Sequence, residues 1–284
     1  MTEDFVATLT IGAETFSLSV MTKADTSREQ LDAEAGAIYQ IFAGREREFG
    51  FGRDVVVEYP QITEAQTSRF LIDPAGHIAA RVSELEKTRP ISSIVVLTTY
   101  GQQLLGPLSA AGFEPVQIDM PAGPDHTYAF TLARDAGAPG ACALYLEAVD
   151  EADEKIRPTF VLRLVDGDGR LCGGACGSVH ERGGERFAYL ATLTLAAGTP
   201  PTTGTQLAEA MFEILRGQGV SVLHFGTQTA GRFYEKLGGK ITHRLVKGLR
   251  TRVSPQGVSL SDDLVMMRID LADHRTGPAT SCET

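Results

Sequence analysis

The residues best suited to chemistry lie between Ala188 and Gly239. A loop of small residues, Ala196-Ala-Gly-Thr-Pro-Pro-Thr-Thr-Gly-Thr205, separates the apolar, β-branched run Ala188–Leu195 from Gln206–Gly219, where Leu207, Met211, Ile214 and Leu215 share one helical face. Strand, glycine-containing turn and helix in that order bring unpaired backbone N–H groups and the positive end of a helix dipole to one point, which suits a pyrophosphate. A second strand, Val220–Phe225, leads into Thr227–Gly239, where Ala230, Phe233, Tyr234 and Leu237 recur at helical spacing before Gly238-Gly239 stops the helix. From Arg232 to Arg252 the chain carries Arg232, Lys236, Lys240, Arg244, Lys247, Arg250 and Arg252 with Glu235 as the only acid. Such a patch suits a discrete anionic ligand, or is a solvated face packed against acidic neighbours.

The spelling of the Thr227–Gly239 segment resembles the late helix motif of the GNAT superfamily of N-acetyltransferases, N-x-x-A-x-x-F-Y-x-x-x-G-F. Ala230, Phe233, Tyr234, Glu235, Lys236, Leu237 and Gly238 match, whereas Thr227 stands where the family has Asn and Gly239 where it has an aromatic. The family's pyrophosphate loop, Q/R-x-x-G-x-G/A, falls on Thr199, Thr202 and Gly204. Gly204 matches; a threonine in place of the first glycine narrows the space for phosphates and offers a hydroxyl in exchange. The resemblance implies acetyl-CoA or another acyl-CoA as substrate. It would be held by Leu193, Thr194 and Leu195 along the thioester and pantetheine, by Thr199, Thr202, Thr203, Gly204 and Thr205 at the pyrophosphate, and by Thr227, Arg232 and Phe233 beside them.

The chemistry so implied is attack of an amine on the thioester after a base takes the ammonium proton, with the departing thiolate then protonated. Tyr234, at the family's tyrosine position, is the candidate acid, against a packed aromatic with a hydrogen-bonded hydroxyl. His180, Glu181 and His224 are the candidate bases, each a group that must come within hydrogen-bond reach of its proton. The partner so implied is a small-molecule amine acceptor. The alternatives are a binding or interaction protein that kept the fold without catalysis, and a thioester hydrolase or decarboxylase on the same scaffold.

The elements that would position these residues repeat. A shift of 126 residues lays Gly112 on Gly238, Ile94–Leu97 on Val220–Leu223, Pro74 on Pro200, Val82 on Ala208, Leu85 on Met211 and Leu104 on Ala230. In the first copy Ile78 replaces Gly204 and Leu108 replaces Tyr234, so it reads as a scaffold. The fold class expected is α/β: two tandem acetyltransferase-like domains, each a mixed, mostly antiparallel sheet flanked by helices. Residues 1–135 would form the degenerate copy, 141–273 the acyl-CoA-binding one and 274–284 a flexible tail, with Arg134–Gly140 as the Gly/Pro-containing linker.

Within that frame, Phe5–Ile11 and Phe16–Met21 read as a hairpin, Thr26-Ser-Arg-Glu29 as the cap of a helix, and Asp54–Tyr59 as a strand. Ala143–Val149, Thr159–Val165 and Gly173–His180 read as the meander that precedes Ala188. The helices usual after the first strand of the resembling fold have no counterpart behind the linker, so that half reads as trimmed.

With 284 residues, 43% hydrophobic and 22% charged, the chain has the composition of a soluble globular protein with room for two cores. A formal net charge of −10 argues against a general nucleic-acid binder. No run approaches the roughly 18 apolar residues of a membrane span, and the alternating N-terminus reads as a strand rather than a secretory signal. Four cysteines, Cys142, Cys172, Cys176 and Cys282, fit a reducing cytoplasm, and with no zinc-like spacing of partners no metal is expected. Even spacing would put Cys172 and Cys176 on one strand face. A monomer or homodimer is expected.

Overall fold

The first helix starts within the expected Thr26–Glu29 segment, with Ser27 as its N-cap accepting a hydrogen bond from the Gln30 N–H. The computed structural model describes residues 5–11, 13–58, 73–98, 114–119, 129–133, 141–148, 157–254 and 256–272. Strands β1 (Phe5–Ile11) and β2 (Glu14–Thr22) form the expected hairpin, followed by α1 (Arg28–Glu46), β3 (Gly50–Phe51) and β4 (Val55–Glu58). Next come α2 (Pro74–Glu86), β5 (Ile91–Thr98), β6 (Glu114–Asp119), β7 (Ala129–Ala133) and β8 (Cys142–Ala148). The chain continues through β9 (Phe160–Val165), β10 (Leu171–Arg182), β11 (Glu185–Leu195), α3 (Thr203–Gly217) and β12 (Val222–Thr227). It closes with α4 (Gly231–Lys236), β13 (Lys240–Val253) and β14 (Ser259–Asp270). The linker Arg134–Gly140, the tail from 273, Leu104, Leu108 and Gly112 lie outside the described residues.

The fold is mixed α/β, with two mostly antiparallel sheets flanked by helices. The larger sheet has the order β1-β2-β9-β10-β11-β12-β14-β13-β3 and the smaller β4-β8-β5-β7-β6. In the smaller sheet β8 is parallel to β5, β5 antiparallel to β7, and β7 antiparallel to β6. The larger repeats those senses: β11 is parallel to β12, β12 antiparallel to β14, and β14 antiparallel to β13.

A division at residues 135 and 141 does not match these sheets. β2 pairs with β9 from Ser17–Val165 to Thr22–Phe160, so the first hairpin belongs to the larger sheet. β8, expected to open the second domain, lies between β4 and β5 of the smaller sheet and is parallel to both. The halves have thus traded strands, and each exchange satisfies an edge whose N–H and C=O groups would otherwise lack partners. The helices that the sequence pattern does not supply behind the linker have a substitute. α1, from the start of the chain, lies across β9, β10 and β11, burying Leu31, Ala35 and Ile38 against Val161 and Cys176.

Strand alternation gives the larger sheet two apolar faces. On one, α3 lays Leu207, Ala208, Met211, Phe212 and Leu215 over Leu162, Leu164, Ala175, Ala188 and Leu190, and α4 adds Tyr234 and Leu237. The other is shared by α1 and the smaller sheet, whose Val55, Val95 and Tyr145 pack on Leu245, Val246, Leu249, Leu264 and Met266. Among the described residues no helix is long and apolar enough to cross a membrane.

The exchange has a direct consequence for folding. A chain of residues 141–272 alone would leave the β9 edge open and the seat of α1 bare, and it should give an aggregated or unfolded species by size-exclusion chromatography and far-UV circular dichroism. Residues 1–52 supplied in trans should restore a soluble complex. A monomeric fragment with a cooperative thermal transition would contradict the exchange.

Candidate functional site

The expected alternation along β11 breaks at Ala191. Leu190 pairs with Gly177 and Thr192 with Cys176, so Ala191 is an extra residue that β10 does not oppose. Such a bulge bends its strand and shifts the phase of its side chains. Ala188 and Leu190 join the α3 core, and Leu193 and Leu195, not Thr192 and Thr194, continue it. On its other side β11 pairs with β12 only from Phe187–Val222 to Leu190–Phe225. Beyond that point the two parallel strands part and leave a notch with Phe225 at its apex.

The polar groups on the notch wall follow from the ladder. The Ala196 N–H is bonded to the Cys172 carbonyl, so by alternation the Thr194 amide also faces β10 while the amide groups of Leu193 and Leu195 face the notch. Leu193 and Leu195 thus turn their side chains to the α3 core and their amide groups to the notch, while Thr194 is buried with its side chain on the α1 face.

The start of α3 stands beside the end of β11. A β-carbon on Gly204 would lie 3.5 Å from Leu195 Cδ1 and 3.7 Å from Phe233 Cε2, so strand end, helix start and α4 converge there. The amides of the first turn, at Gly204 and Thr205, have no acceptor within the helix. Thr202 is the N-cap but makes no side-chain cap bond, and it is exposed. The Thr199 hydroxyl is turned back onto the Ala196 carbonyl at 2.8 Å, and Thr203 is fully buried, so neither presents a side chain outward.

α4 is short because its own sequence stops it. Gly238 takes a φ of +82°, and the Gly239 N–H reaches back to the Tyr234 carbonyl at 2.8 Å, closing the C-terminus in a left-handed turn. At the other end the Thr227 hydroxyl accepts the Ala230 N–H at 3.1 Å, so Thr227 shapes the helix entry and its oxygen is engaged. Tyr234 is buried against Phe225 at 4.3 Å between ring centroids and against Phe233 at 4.9 Å. Its hydroxyl has no hydrogen-bond partner among the described residues, which counts against the packed, bonded alternative. Burial drives its pKa well above the ordinary phenol value, so at neutral pH it holds a proton.

The three candidate bases lie elsewhere. His224 is on the opposite sheet face from its neighbour Phe225 and hence from Tyr234; burial, then Arg268, lowers its pKa. His180 bonds the Ser178 hydroxyl at 2.7 Å and stacks on Phe187. Glu181 is exposed beside the β10–β11 turn, at the far end of β11 from Ala191. The reason is strand parity for His224, which lies on the sheet face away from α3, and position along the strand for His180 and Glu181, which lie toward the β10–β11 turn.

Much of the basic run is neutralised, Lys240 by Asp270, Arg244 by Asp263, Arg250 by Glu46 and Arg252 by Asp262. Arg232 and Lys236, exposed one turn apart on α4, have no ion pair among the described residues. Cys172 and Cys176 do not share a face, because a second bulge between Leu171 and Gly173 shifts the phase. Cys172 packs with the α3 core and Cys176 under α1, where burial pushes its thiol up to about 12. No cluster of metal-ligating side chains occurs among the described residues.

Sequence reasoning missed the Ala191 bulge and the part played by α1. The bulge left a signal, since the apolar alternation Ala188, Leu190 resumes at Leu193, Leu195 one residue out of phase. The α1 contribution left none, because nothing local in residues 28–46 points to a strand 130 residues away.

No family model matches the chain, and no curated protein does. Among solved structures it is similar to the IAA acetyltransferase from Bacillus cereus, 16% identical with a TM-score of 0.31 over 39% of this chain and 77% of that one. It is similar also to the ribosomal-protein-S18-alanine N-acetyltransferase from Escherichia coli, at 16% identity and a TM-score of 0.31 over 46% and 77%. A third is a GNAT family acetyltransferase from Elizabethkingia anophelis with acetyl-CoA bound, at 14% and 0.30 over 39% and 75%. At such scores the likeness decides nothing about substrate or chemistry.

The Tyr234 environment makes a test in alkaline solution. Above about pH 10 the unfolded chain gives up the phenolic proton and the folded one keeps it, so the folded state binds more protons and loses stability as pH rises. Relative to Tyr234→Phe, the wild type should lose up to ~1.4 kcal/mol per pH unit in urea denaturation above pH 10. Parallel pH curves for the two proteins would mean that the phenol is solvated.

Proposed function

We propose that this protein transfers an acyl group from acyl-CoA to the amine of a small molecule. The observation that carries this is the notch itself: unspent amide groups of Leu193 and Leu195 along one wall, the open first turn of α3 at its mouth, and a buried, protonated Tyr234 at its apex. An extended thioester carrying a pyrophosphate meets each of these in turn. Peptide groups on the strand hydrogen-bond the amide-containing arm, and helix amides with the α3 dipole hold the phosphates. Thr202, Gly204 and Thr205 provide that helix start, while Arg232 and Lys236 offer cations for further phosphate charge.

In the reaction the acceptor ammonium first gives a proton to solvent water; the neutral amine nitrogen then bonds the thioester carbonyl carbon and the carbon–sulfur bond breaks. The nitrogen sheds a proton, and the thiolate takes one from the Tyr234 phenol, which is restored by the proton the amine released. A phenol kept protonated by burial is a fitting donor, and departure of sulfur is assisted without a charged side chain. A second reading, a non-catalytic CoA-binding protein, draws on Thr199, whose hydroxyl is spent on its own turn rather than offered to a phosphate.

Calorimetry with CoA tests the binding half of the proposal. Thr202→Asp should hold or raise the melting temperature, because an acidic N-cap favours the helix start. The same charge should weaken CoA by about tenfold or more through repulsion of the pyrophosphate. Equal affinity in the two proteins would remove α3 as the phosphate site.

Tyr234→Phe tests the catalytic half. It should leave acyl-CoA affinity within about twofold while lowering turnover by roughly a hundredfold. Full turnover in the folded Phe variant would remove Tyr234 as the acid, and CoA binding with no acylation of any amine would favour the second reading.

A further inference from the structure

Toward the β10–β11 turn, on the face away from α3, the larger sheet carries a cavity of about 320 Å³. Its place follows from strand alternation. Ala188 and Leu223 belong to the α3 core, so Phe187, Val222 and His224 point to the other side, and Glu185 and its ladder partner Arg182 share that side. Arg268, opposite His224 on β14, forms the far wall. The notch opens beyond Leu190 and Phe225, past the last rung of the β11–β12 pairing, so the cavity is a separate space.

Most of the charge around the cavity is answered within the protein. Arg268 donates to the Asp270 carboxylate from Nε at 2.7 Å and from Nη2 at 2.6 Å, and Lys240 approaches the same carboxylate at 3.5 Å. His224 is held neutral near pH 7, because burial and then Arg268 lower its pKa. Arg182 and Glu185 are the exception. The tight turn through Gly183 and Gly184, with φ of +60° and +82°, sets them directly across the last rung of the hairpin, yet they do not pair with each other. Arg182 has no ion pair among the described residues, and Glu185 spends one oxygen on the Ser221 hydroxyl at 3.3 Å. Below them Phe187 is 5% exposed, its ring stacked on His180 at 5.3 Å and met edge-on by His224 at 5.9 Å, with Val222 beside it. An unspent cation, a carboxylate with a free oxygen and a fixed apolar floor thus meet in one cavity.

From this arrangement we infer a binding site for an apolar α-amino acid, its carboxylate on Arg182, its ammonium on Glu185 and its side chain on Phe187 and Val222. Opposed residues of a ladder have Cβ atoms about 5 Å apart. An α-amino acid carries its two charged groups on one carbon, so both charge-assisted hydrogen bonds form together. A ligand with an anion alone would face the Glu185 carboxylate, and one with a cation alone would face Arg182. The volume lies at the lower end of the roughly 300–1,000 Å³ of small-molecule sites and suits a ligand of amino-acid size. The site stands apart from the acyl-transfer reading, since neither Tyr234 nor the start of α3 lines it.

The test is calorimetric titration of the full chain with phenylalanine, with 3-phenylpropanoate, which lacks only its ammonium, and with 2-phenylethylamine, which lacks only its carboxylate. Phenylalanine should bind at least about tenfold more tightly than either. Arg182→Gln should cut its preference over the amine to within about twofold, and Glu185→Gln should do the same to its preference over the acid. Both positions are exposed beside a turn, so the two variants should melt as the wild type does. Phenylalanine binding no tighter than the other two ligands, binding of none, or undiminished preferences in the two variants would overturn the inference. Tyr234→Phe should bind phenylalanine as the wild type does; weaker binding there would put the ligand in the notch instead and overturn it as well.

Discussion

The ladder between β2 and β9 is the interaction on which the rest depends. It joins Ser17–Thr22 to Phe160–Val165 across more than 130 residues of chain and closes an edge that β8, the neighbour in sequence, leaves open by going to the other sheet. Closing so long a loop costs entropy that local contacts do not offset, so the pairing must be carried by the burial it permits. Leu18 packs with Phe160, Leu162 and Leu164, and α1 is delivered onto Val161 and Cys176. With α1 in place, β9, β10 and β11 are covered on the face away from α3 and Arg250 gains a counter-ion; without it a nearly buried guanidinium would stand unpaired, a costly state.

The notch itself comes from a single surplus residue. Parallel strands that stay in register spend on each other the amides that face between them; Ala191 shifts the phase of β11, and the amides of Leu193 and Leu195 face a space where β11 and β12 no longer pair. The same shift swaps the side chains, sending Leu193 and Leu195 to the α3 core and Thr192 and Thr194 to the α1 face. One bulge thus sets hydrogen-bonding capacity, side-chain placement and access together. Around it the polar groups are sorted by burial: Tyr234 is held neutral by desolvation alone, whereas the nearly buried Arg250 is matched by the Glu46 carboxylate.

Most elements were legible from local pattern. The cap within Thr26–Glu29, the β1–β2 hairpin, the α3 stripe and the glycine stop after α4 are short-range effects of hydrogen bonding and backbone freedom, and each lies where the residues put it. Gly204 and Tyr234 were legible for the same reason, since helix starts and helix faces are written in adjacent residues. The faces of His180 and His224 were not legible, because a histidine's type states its chemistry but not its face or its distance from a partner on another strand.

The sequence by itself determined the two helix–strand units, the loop that opens α3 and the tyrosine that follows it, because spacing of 2 or 3.6 residues and the demands of caps and turns act over a few positions. Only the tertiary structure decided which strand closes which sheet, that α1 serves the later half of the chain, and that Glu46, Arg250 and Gln228 meet. Those outcomes depend on edges competing for partners and on apolar faces competing for cover. Both are settled between segments far apart in the chain, where no local spacing records the result.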